Sequence, residues 1–184
     1  MINYEIETEL RANLSSDEKL IWTGKPKTGI VFRNSDFFMI PFSFFWAGSV
    51  AVWEAGAISS GAPLFFKLWG IPFIVVGIYF TLGRFFVDAK KRANTIYGIT
   101  SDRIIIKSGI FRREVKSLNI KTLSDISMTQ KKDNSGTINL TATDFRYSMM
   151  QGIEWPGAKQ PPRLELIDDV KSVYDIIIKL QNKN

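Results

Sequence analysis

Acid–base chemistry near neutral pH would require a carboxylate or a lysine with a shifted pKa in this sequence, because the chain contains neither histidine nor cysteine. The same absence excludes a thiol nucleophile, a disulfide, a cysteine–histidine zinc cluster and a Ser-His-Asp triad. Asp168 and Asp169 form a carboxylate pair, but they directly precede a segment with helical periodicity. An aspartate in that position caps the free N–H groups of a helix. We therefore expect no catalytic residues, no metal site and no cofactor, and the sequence predicts a protein that is not an enzyme.

Basic side chains are the second group that could recognise a ligand. The chain carries 24 Lys and Arg against 18 Asp and Glu, which gives a formal net charge of +6. The candidate contacts to lipid headgroups are Lys25, Lys27, Lys90, Lys91 and Arg92. Arg112, Arg113, Lys131 and Lys132 would add to them, since each basic residue near an anionic bilayer contributes about 1 kcal/mol. Alternatively, these charges serve membrane topology and solubility alone. They are spread along the chain, so we expect no nucleic acid partner.

Aromatic and methionine side chains are concentrated in a long irregular stretch between Thr143 and Pro162. The candidate partner-binding residues in this loop are Phe145, Tyr147, Met149, Met150 and Trp155. Such side chains offer adaptable apolar contact to a protein partner. Alternatively, they pack over one open end of a sheet.

Two apolar stretches determine where these groups lie. Residues 37–53 and 68–83 are runs of 17 and 16 residues without a charged side chain. With their flanks, they predict membrane-spanning helices at about residues 37–57 and 64–86, because a span needs about 20 apolar residues. The link between them, which we take to begin at Glu54, is short enough to allow only an antiparallel hairpin. Two buried helices of a soluble protein are the alternative, but the rest of the chain is too short and polar to cover them.

Lysine and arginine residues flank the outer ends of the two spans, and Lys67 alone lies on the link side. Basic residues remain on the cytoplasmic side of a membrane, so we expect both termini to be cytoplasmic and the protein to be multi-pass. Small residues also recur along the first span, at Ser43, Ala47, Ala51 and Ala55. We expect this stripe to pack against glycines of the second span. The alternative is a self-associating face and a homo-oligomer.

Short β-branched segments separated by turn signals follow residue 94 and predict an antiparallel meander. A final strand at residues 163–167 precedes a helix in which Val170, Val173, Ile177 and Leu180 recur at helical spacing. The predicted fold class is α+β: a two-helix transmembrane hairpin, then an antiparallel β-sandwich or barrel with a C-terminal helix, an outline that the pleckstrin-homology (PH) architecture shares with other small α+β folds. The predicted domains are an N-terminal cytoplasmic segment (1–35), the hairpin (36–86) and the PH-like domain (94–184).

Three segments resemble the bacterial pleckstrin-homology (PH) membrane proteins. In YGITSDRIIIKSG, residues 97–109, the matching positions are Tyr97, Thr100, Arg103, Ile104 to Ile106 and Gly109. DEKLIWTGKPKTG, residues 17–29, resembles the segment before the membrane hairpin, and PPRLELIDDVKSVYDIIIKL, residues 161–180, is similar to the closing strand and helix. The resemblance implies a cytoplasmic β-domain tied to the membrane by paired helices, and it supplies no catalytic residues. The turn at residues 99–103 lacks a long basic loop, so phosphoinositide binding is not implied.

These observations predict a non-catalytic scaffold in the bacterial inner membrane. Its PH-like domain would hold an unidentified protein partner at the cytoplasmic face of the bilayer. The alternative function is a module that senses anionic lipid through its juxtamembrane basic residues.

Overall fold

The computed structural model describes residues 4–33, 35–110, 112–142 and 161–183. Its helices are α1 (Tyr4–Arg11), α2 (Asp36–Ser59), α3 (Leu64–Ile78), α4 (Arg84–Ala93) and α5 (Val170–Gln181). A π-helical segment, Tyr79–Gly83, joins α3 to α4. The strands are β1 (Leu20–Gly24), β2 (Ile96–Thr100), β3 (Arg103–Ser108), β4 (Glu114–Asn119), β5 (Ser127–Gln130), β6 (Gly136–Asn139) and β7 (Arg163–Ile167). A 3₁₀ turn, Ile120–Thr122, follows β4.

The described residues divide into two compact units. The sheet unit consists of residues 4–29, 89–142 and 161–183, and the hairpin unit consists of residues 30–88. In the sheet unit, one antiparallel sheet has the order β1-β2-β3-β4 and the other has the order β5-β6-β7. The predicted α+β class, with antiparallel sheets and a C-terminal helix, is confirmed.

Strand β1 pairs with β2 although the whole hairpin unit lies between them in the sequence. Leu20 is opposite Thr100, and Gly24 is opposite Tyr97. The sheet unit therefore includes residues that the sequence analysis assigned to a separate segment, 1–35, outside the domain at 94–184. A long insertion between two paired strands is tolerated because the entropy of loop closure grows only slowly with loop length.

The main core lies between the two sheets and α5. Ile99, Ile104, Ile138 and Leu164 are completely buried in it. Helix α5 contributes Val170, Val173 and Ile177, at the helical spacing that the sequence predicted. Helix α5 follows Asp169, which has φ +46° and makes no side-chain capping bond. The predicted cap at Asp168 is therefore not observed, and Asp168 instead faces Lys27, with Oδ1 3.6 Å from Nζ.

A second, smaller core explains the uninterrupted isoleucine run of β3. Ile104 and Ile106 face the main core, whereas Ile105 packs with Ile6 and Leu10 of α1 on the other side of the sheet. The sheet is covered on both faces there, so strict alternation of polar and apolar residues is not needed.

The hairpin unit is built from α2 and α3, and two glycines of α3 receive large side chains of α2: Glu54 and Trp53 pack against Gly70, and Trp46 packs against Gly77. Ser43, Gly70 and Gly77 are buried, as expected for a close helix–helix approach. The other members of the predicted stripe, Ala47, Ala51 and Ala55, are exposed. Only one residue of that stripe therefore contributes to the buried contact. Helix α2 also continues to Ser59, so the link is shorter than predicted.

Candidate functional site

The two hairpin helices are long and apolar enough to cross a bilayer. Helix α2 has 24 residues and the continuous helix from Leu64 to Ala93 has 30, or about 36 and 45 Å against a hydrocarbon core of about 30 Å. Only 17% of the most apolar window of each helix is buried. Phe37, Phe45 and Val52 are 90%, 73% and 75% exposed. This apolar surface is suited to contact with lipid.

Two ion pairs stabilise the end of the hairpin at which the chain enters and leaves. Arg84 Nη1 lies 2.7 Å from Asp36 Oδ1, and Arg33 Nη2 donates a 2.8 Å hydrogen bond to Asp88 Oδ1. The Arg84 guanidinium also lies 4.5 Å from the ring centroid of Phe85. From the sequence alone, Arg33 would serve only the membrane topology, and Arg84 would also place its charge at the headgroups. Each is instead largely buried beside a carboxylate, which compensates its desolvation.

Glu54 is a carboxylate within α2 that the sequence analysis placed in the link. It follows Asp36 by 18 residues, or about 27 Å of helix, close to the thickness of a hydrocarbon core. Its Oε2 atom is buried, has no hydrogen-bond partner among the described residues and packs against Gly70. Trp53 contacts the same glycine. Tryptophan is enriched where membrane-spanning helices meet the headgroups.

An apolar groove of about 430 Å³ lies between α2 and α3, and it is lined by Phe45, Trp46, Ser49, Val50, Trp53, Trp69 and Phe73. Trp46 spans the two helices, because its Nε1 donates a 3.4 Å hydrogen bond to the carbonyl of Phe73. Ser49, which donates to the carbonyl of Phe45 on its own helix, supplies the hydroxyl of the lining. The groove therefore suits apolar chains and not a polar ligand.

In the sheet unit, the motif residues that carry the PH resemblance have structural roles. Arg103 Nε and Nη2 donate hydrogen bonds of 2.8 and 2.6 Å to the two carboxylate oxygens of Glu18, and Thr100 Oγ1 donates one of 2.7 Å. The hydrogen bonds from Arg103 lower the pKa of Glu18 to about 2. The Tyr97 hydroxyl accepts a hydrogen bond from the backbone N–H of Glu165, and burial raises the pKa of Tyr97. The motif therefore connects distant segments of the domain.

Two predicted headgroup contacts are engaged within the sheet unit. Arg92, only 3% exposed, donates hydrogen bonds of 2.5 and 2.6 Å to the carbonyls of Lys27 and Gly29. Lys27 Nζ donates a 2.7 Å hydrogen bond to Asp133 Oδ2, which raises the pKa of Lys27 and lowers that of Asp133. Arg92 thus has little surface for a headgroup, whereas the side chain of Lys27 remains 40% exposed beside its ion pair.

The other three predicted contacts reach the surface. Lys25 and Lys90 are exposed, and Lys91 is partly exposed. Lys25 also lines a polar cleft of about 250 Å³, together with Glu9, Ala93, Asn94, Ile96, Lys107, Gly109, Ile110 and Arg113. We call this the basic cleft. Strands β1 and β3 end here and β2 begins here, since antiparallel neighbours bring alternate strand ends to one edge of a sheet.

Glu9 organises two of the three cations of the basic cleft. Its Oε1 accepts a 2.7 Å hydrogen bond from Arg113 Nη1 and lies 3.3 Å from Lys107 Nζ. Lys107 Nζ also donates a 3.1 Å hydrogen bond to the Glu9 carbonyl. The side chain of Lys107 is 12% exposed and that of Arg113 is 72% exposed. The cleft therefore holds a fixed inner cation and a more accessible outer one.

Sequence reasoning missed Glu9, Asn94 and Lys107 as members of a site. Lys107 is visible in the sequence only as the residue after an isoleucine run, and Glu9 lies in a mixed, polar segment. The pair Ile6 and Leu10, four residues apart, is the signal for α1 that could have revealed Glu9 as part of a packed helix.

The remaining site predictions receive no structural description. Phe145, Tyr147, Met149, Met150 and Trp155 lie outside the described residues. Within the described ranges, no group of three acidic, histidine or cysteine side chains is arranged to hold a metal ion.

A family model described as a bacterial PH domain matches residues 42–179, a region that extends from α2 to α5. No curated protein and no solved structure matches the chain.

Proposed function

The chain belongs to the bacterial PH-domain family, and we propose that it is a non-catalytic module anchored in the bacterial inner membrane. In this proposal the sheet unit lies in the cytoplasm and holds a protein partner close to the bilayer. The two exposed apolar helices carry the proposal. A 24-residue and a 30-residue helix with outward-facing phenylalanines would not stay dispersed in water.

The distribution of charge supports the proposed orientation. The sheet unit and the outer ends of the hairpin carry the basic residues, whereas Lys67 is the basic residue near the link. Because lysine and arginine remain on the cytoplasmic side, both ends of the hairpin, and with them the sheet unit, would be cytoplasmic.

A non-catalytic role is consistent with what the ionisable groups do. Glu18, Asp133 and Glu9 are each paired with a cation that connects two segments of the sheet unit. Tyr97 is buried and hydrogen-bonded to backbone. These groups have structural partners, which explains their positions without a reaction.

Two measurements test the anchoring. The protein should stay with membranes after washing at alkaline pH and should need detergent for extraction. A green fluorescent protein fused after Asn184 should fluoresce, and alkaline phosphatase fused at the same point should be inactive. Release by the wash, or an active phosphatase fusion, would contradict the proposal.

The predicted partner-binding segment between Thr143 and Pro162 provides the positions at which a partner can be captured. A photo-crosslinking amino acid at Tyr147 or Trp155 should capture a protein that is not captured from Asn182, an exposed position after α5 that serves as the control. Deletion of residues 149–155 should remove the same protein from a mild purification. Equal crosslinking from all three positions would count against the loop as the binding surface.

A further inference from the structure

We infer that the basic cleft binds a phosphate ester, either the headgroup of an anionic lipid or a soluble organic phosphate. The inference rests on the proposed membrane anchoring only for the choice between these two sources. The inference names a ligand class and a defined site, whereas the sequence predicted only basic residues that could contact lipid headgroups.

The cleft retains unused hydrogen-bond donors after its internal contacts are counted. A lysine ammonium has three donors and an arginine has five, whereas the contacts to Glu9 involve Lys107 Nζ and Arg113 Nη1. Lys25 forms no ion pair in the part of the chain that the structure describes. The amide of Asn94 adds neutral donors to the lining. Lys25, Lys107 and Arg113 can therefore each still donate to one bound anion.

The charges of the lining favour an anion over a cation. Three basic side chains face one carboxylate, and the oxygen Oε1 of that carboxylate already contacts two of the three. Backbone carbonyls at the end of α4 do not offset this balance. Those of Lys90 and Lys91 accept from the N–H of Asn94, and that of Lys91 also accepts from the Thr95 hydroxyl. The lining thus carries more cations than carboxylates, and a phosphate would find several N–H donors there.

The volume of the cleft and its position in the chain, shortly after the apolar helix, restrict the class of ligand further. A volume of about 250 Å³ is below the range of about 300–1,000 Å³ typical of drug-sized ligands, so it suits a small phosphate ester. Ala93 lines the cleft, and Phe86, the last aromatic residue of the membrane helix, precedes it by seven residues. Even a fully extended chain of that length spans only about 25 Å. The cleft is therefore tethered within reach of headgroups if the hairpin is inserted.

The test compares two double variants of the full-length protein that remove the same charge. Lys25→Gln with Arg113→Gln removes two cations of the cleft, and Lys121→Gln with Lys171→Gln removes two exposed cations that belong neither to the cleft nor to the predicted headgroup contacts. One arm measures retention of phosphatidylglycerol in phosphatidylcholine nanodiscs by native mass spectrometry. The other arm titrates sn-glycerol 3-phosphate against the protein in a neutral detergent by calorimetry. Circular dichroism checks the fold of each variant.

We expect the cleft variant to bind about 25-fold more weakly than wild type, since each of the two lost cations corresponds to about fivefold, and the control variant to change much less. A selective loss in the nanodisc arm assigns the site to a lipid headgroup, and a selective loss in the detergent arm assigns it to a soluble phosphate. Equal losses for the two variants in both arms, or no binding by wild type in either, would overturn the inference. If the cleft variant does not fold, the two single substitutions replace it. Membrane extraction is scored separately, so failure of the cleft leaves the anchoring proposal standing.

Discussion

Arg103 and Glu18 are 85 residues apart in the sequence, yet two hydrogen bonds of 2.8 and 2.6 Å join their side chains. Arg103 Nη2 also donates a 3.0 Å hydrogen bond to the carbonyl of Asn13. The hairpin unit lies between these partners in the sequence. This contact fastens the segment before β1 to the first residue of β3, and so connects the chain on either side of the hairpin unit.

The depressed pKa of Glu18 makes the stability of the sheet unit sensitive to acid. Its pKa is about 2 in the folded protein and 4.5 for an ordinary glutamate, the lowering being due first to the hydrogen bonds from Arg103. Because the pKa of Glu18 is lower in the folded protein, its ionised carboxylate stabilises the fold above pH 4.5. This contribution is lost as the pH falls from 4.5 towards 2. We expect Glu18→Gln to cost about 2 kcal/mol at pH 7 and to flatten the acid dependence in this window.

Thermal unfolding in detergent, followed by circular dichroism between pH 7 and pH 2, measures this effect. Asp17→Asn is the control, because Asp17 is the exposed neighbour of Glu18 in the sequence. A Glu18→Gln variant whose melting temperature falls with acid as steeply as that of wild type would show that the contact contributes little.

The secondary structure was largely readable from the sequence, but the way in which the strands combine was not. Turn signals and β-branched runs predict strands near β2, β3 and β4, and residues 20–23, which form most of β1, also read as a short extended segment. Nothing local indicates that this segment pairs with β2 beyond the hairpin unit, because the pairing depends on backbone hydrogen bonds and on burial of distant residues. The partner of Arg103 was hidden for the same reason.

From its sequence context, Arg92 is one of three basic residues expected beside the membrane. Because its side chain is buried, replacing it should instead destabilise the sheet unit. It bridges the carbonyls of Lys27 and Gly29 with a forked guanidinium. We expect Arg92→Ala to cost about 2–3 kcal/mol, since two charge-assisted hydrogen bonds are lost. Arg92→Lys should recover only part of this, because an ammonium lacks the fork.

Lys90→Ala is the matched control for Arg92, because Lys90 is exposed on the same helix and a surface substitution usually changes stability by no more than about 0.5 kcal/mol. The melting temperature in detergent should fall by about 4–12 °C for Arg92→Ala and remain nearly constant for Lys90→Ala. Equal small shifts for both would argue that Arg92 is a surface charge, as its sequence context suggested.

Gly98 in β2 sets the distance between the sheet and α1. A Cβ atom at this position would lie 2.7 Å from Leu10 Cδ1 and 2.9 Å from Leu20 Cδ2. Valine favours strands, so a loss of stability in Gly98→Val would be due to steric overlap with Leu10 and Leu20 and not to a poor strand propensity. We expect a cost of about 1–3 kcal/mol.

A double-mutant cycle with Leu10→Ala tests the cause. Leu10→Ala alone should cost about 2–5 kcal/mol because it leaves a cavity, and Gly98→Val should partly fill that cavity. The double variant is therefore expected to be more stable than the sum of the two single effects by about 1 kcal/mol or more. Thr129→Val, at an exposed position of β5, controls for the valine itself. Simple additivity would indicate that α1 does not pack on Gly98 in solution.

The basic cleft illustrates why sites formed by strand ends are hard to predict. Lys25 is separated from Lys107 and Arg113 in the sequence by the hairpin unit and by β2. Only the antiparallel registers of β1 with β2, and of β2 with β3, bring their neighbourhoods to one edge of the sheet. Lys25 could be named from its basic context alone, whereas Lys107 required the register.

The pairing of β1 with β2 also predicts which fragment of this protein folds. Residues 94–184 lack α1 and β1, so Ile96 and Ile105 would lose their cover and β2 would become an open edge. We expect this fragment to aggregate or to unfold without cooperativity.

A hairpin-deleted variant that joins residue 29 to residue 89 through about six Gly and Ser residues, which span up to about 20 Å, should fold without detergent. The linker can be short because Arg92 binds the Gly29 carbonyl at 2.6 Å.

Size-exclusion chromatography and amide NMR spectra of the fragment and of the hairpin-deleted variant, both in plain buffer, distinguish the outcomes. The variant should elute as a monomer with dispersed amide signals, because it keeps β1 beside β2 and α1 over Ile105. A monodisperse fragment 94–184 with equally dispersed signals would mean that β1 is dispensable. The contact between Arg103 and Glu18 would then be an accessory to the fold, since the fragment lacks Glu18 altogether.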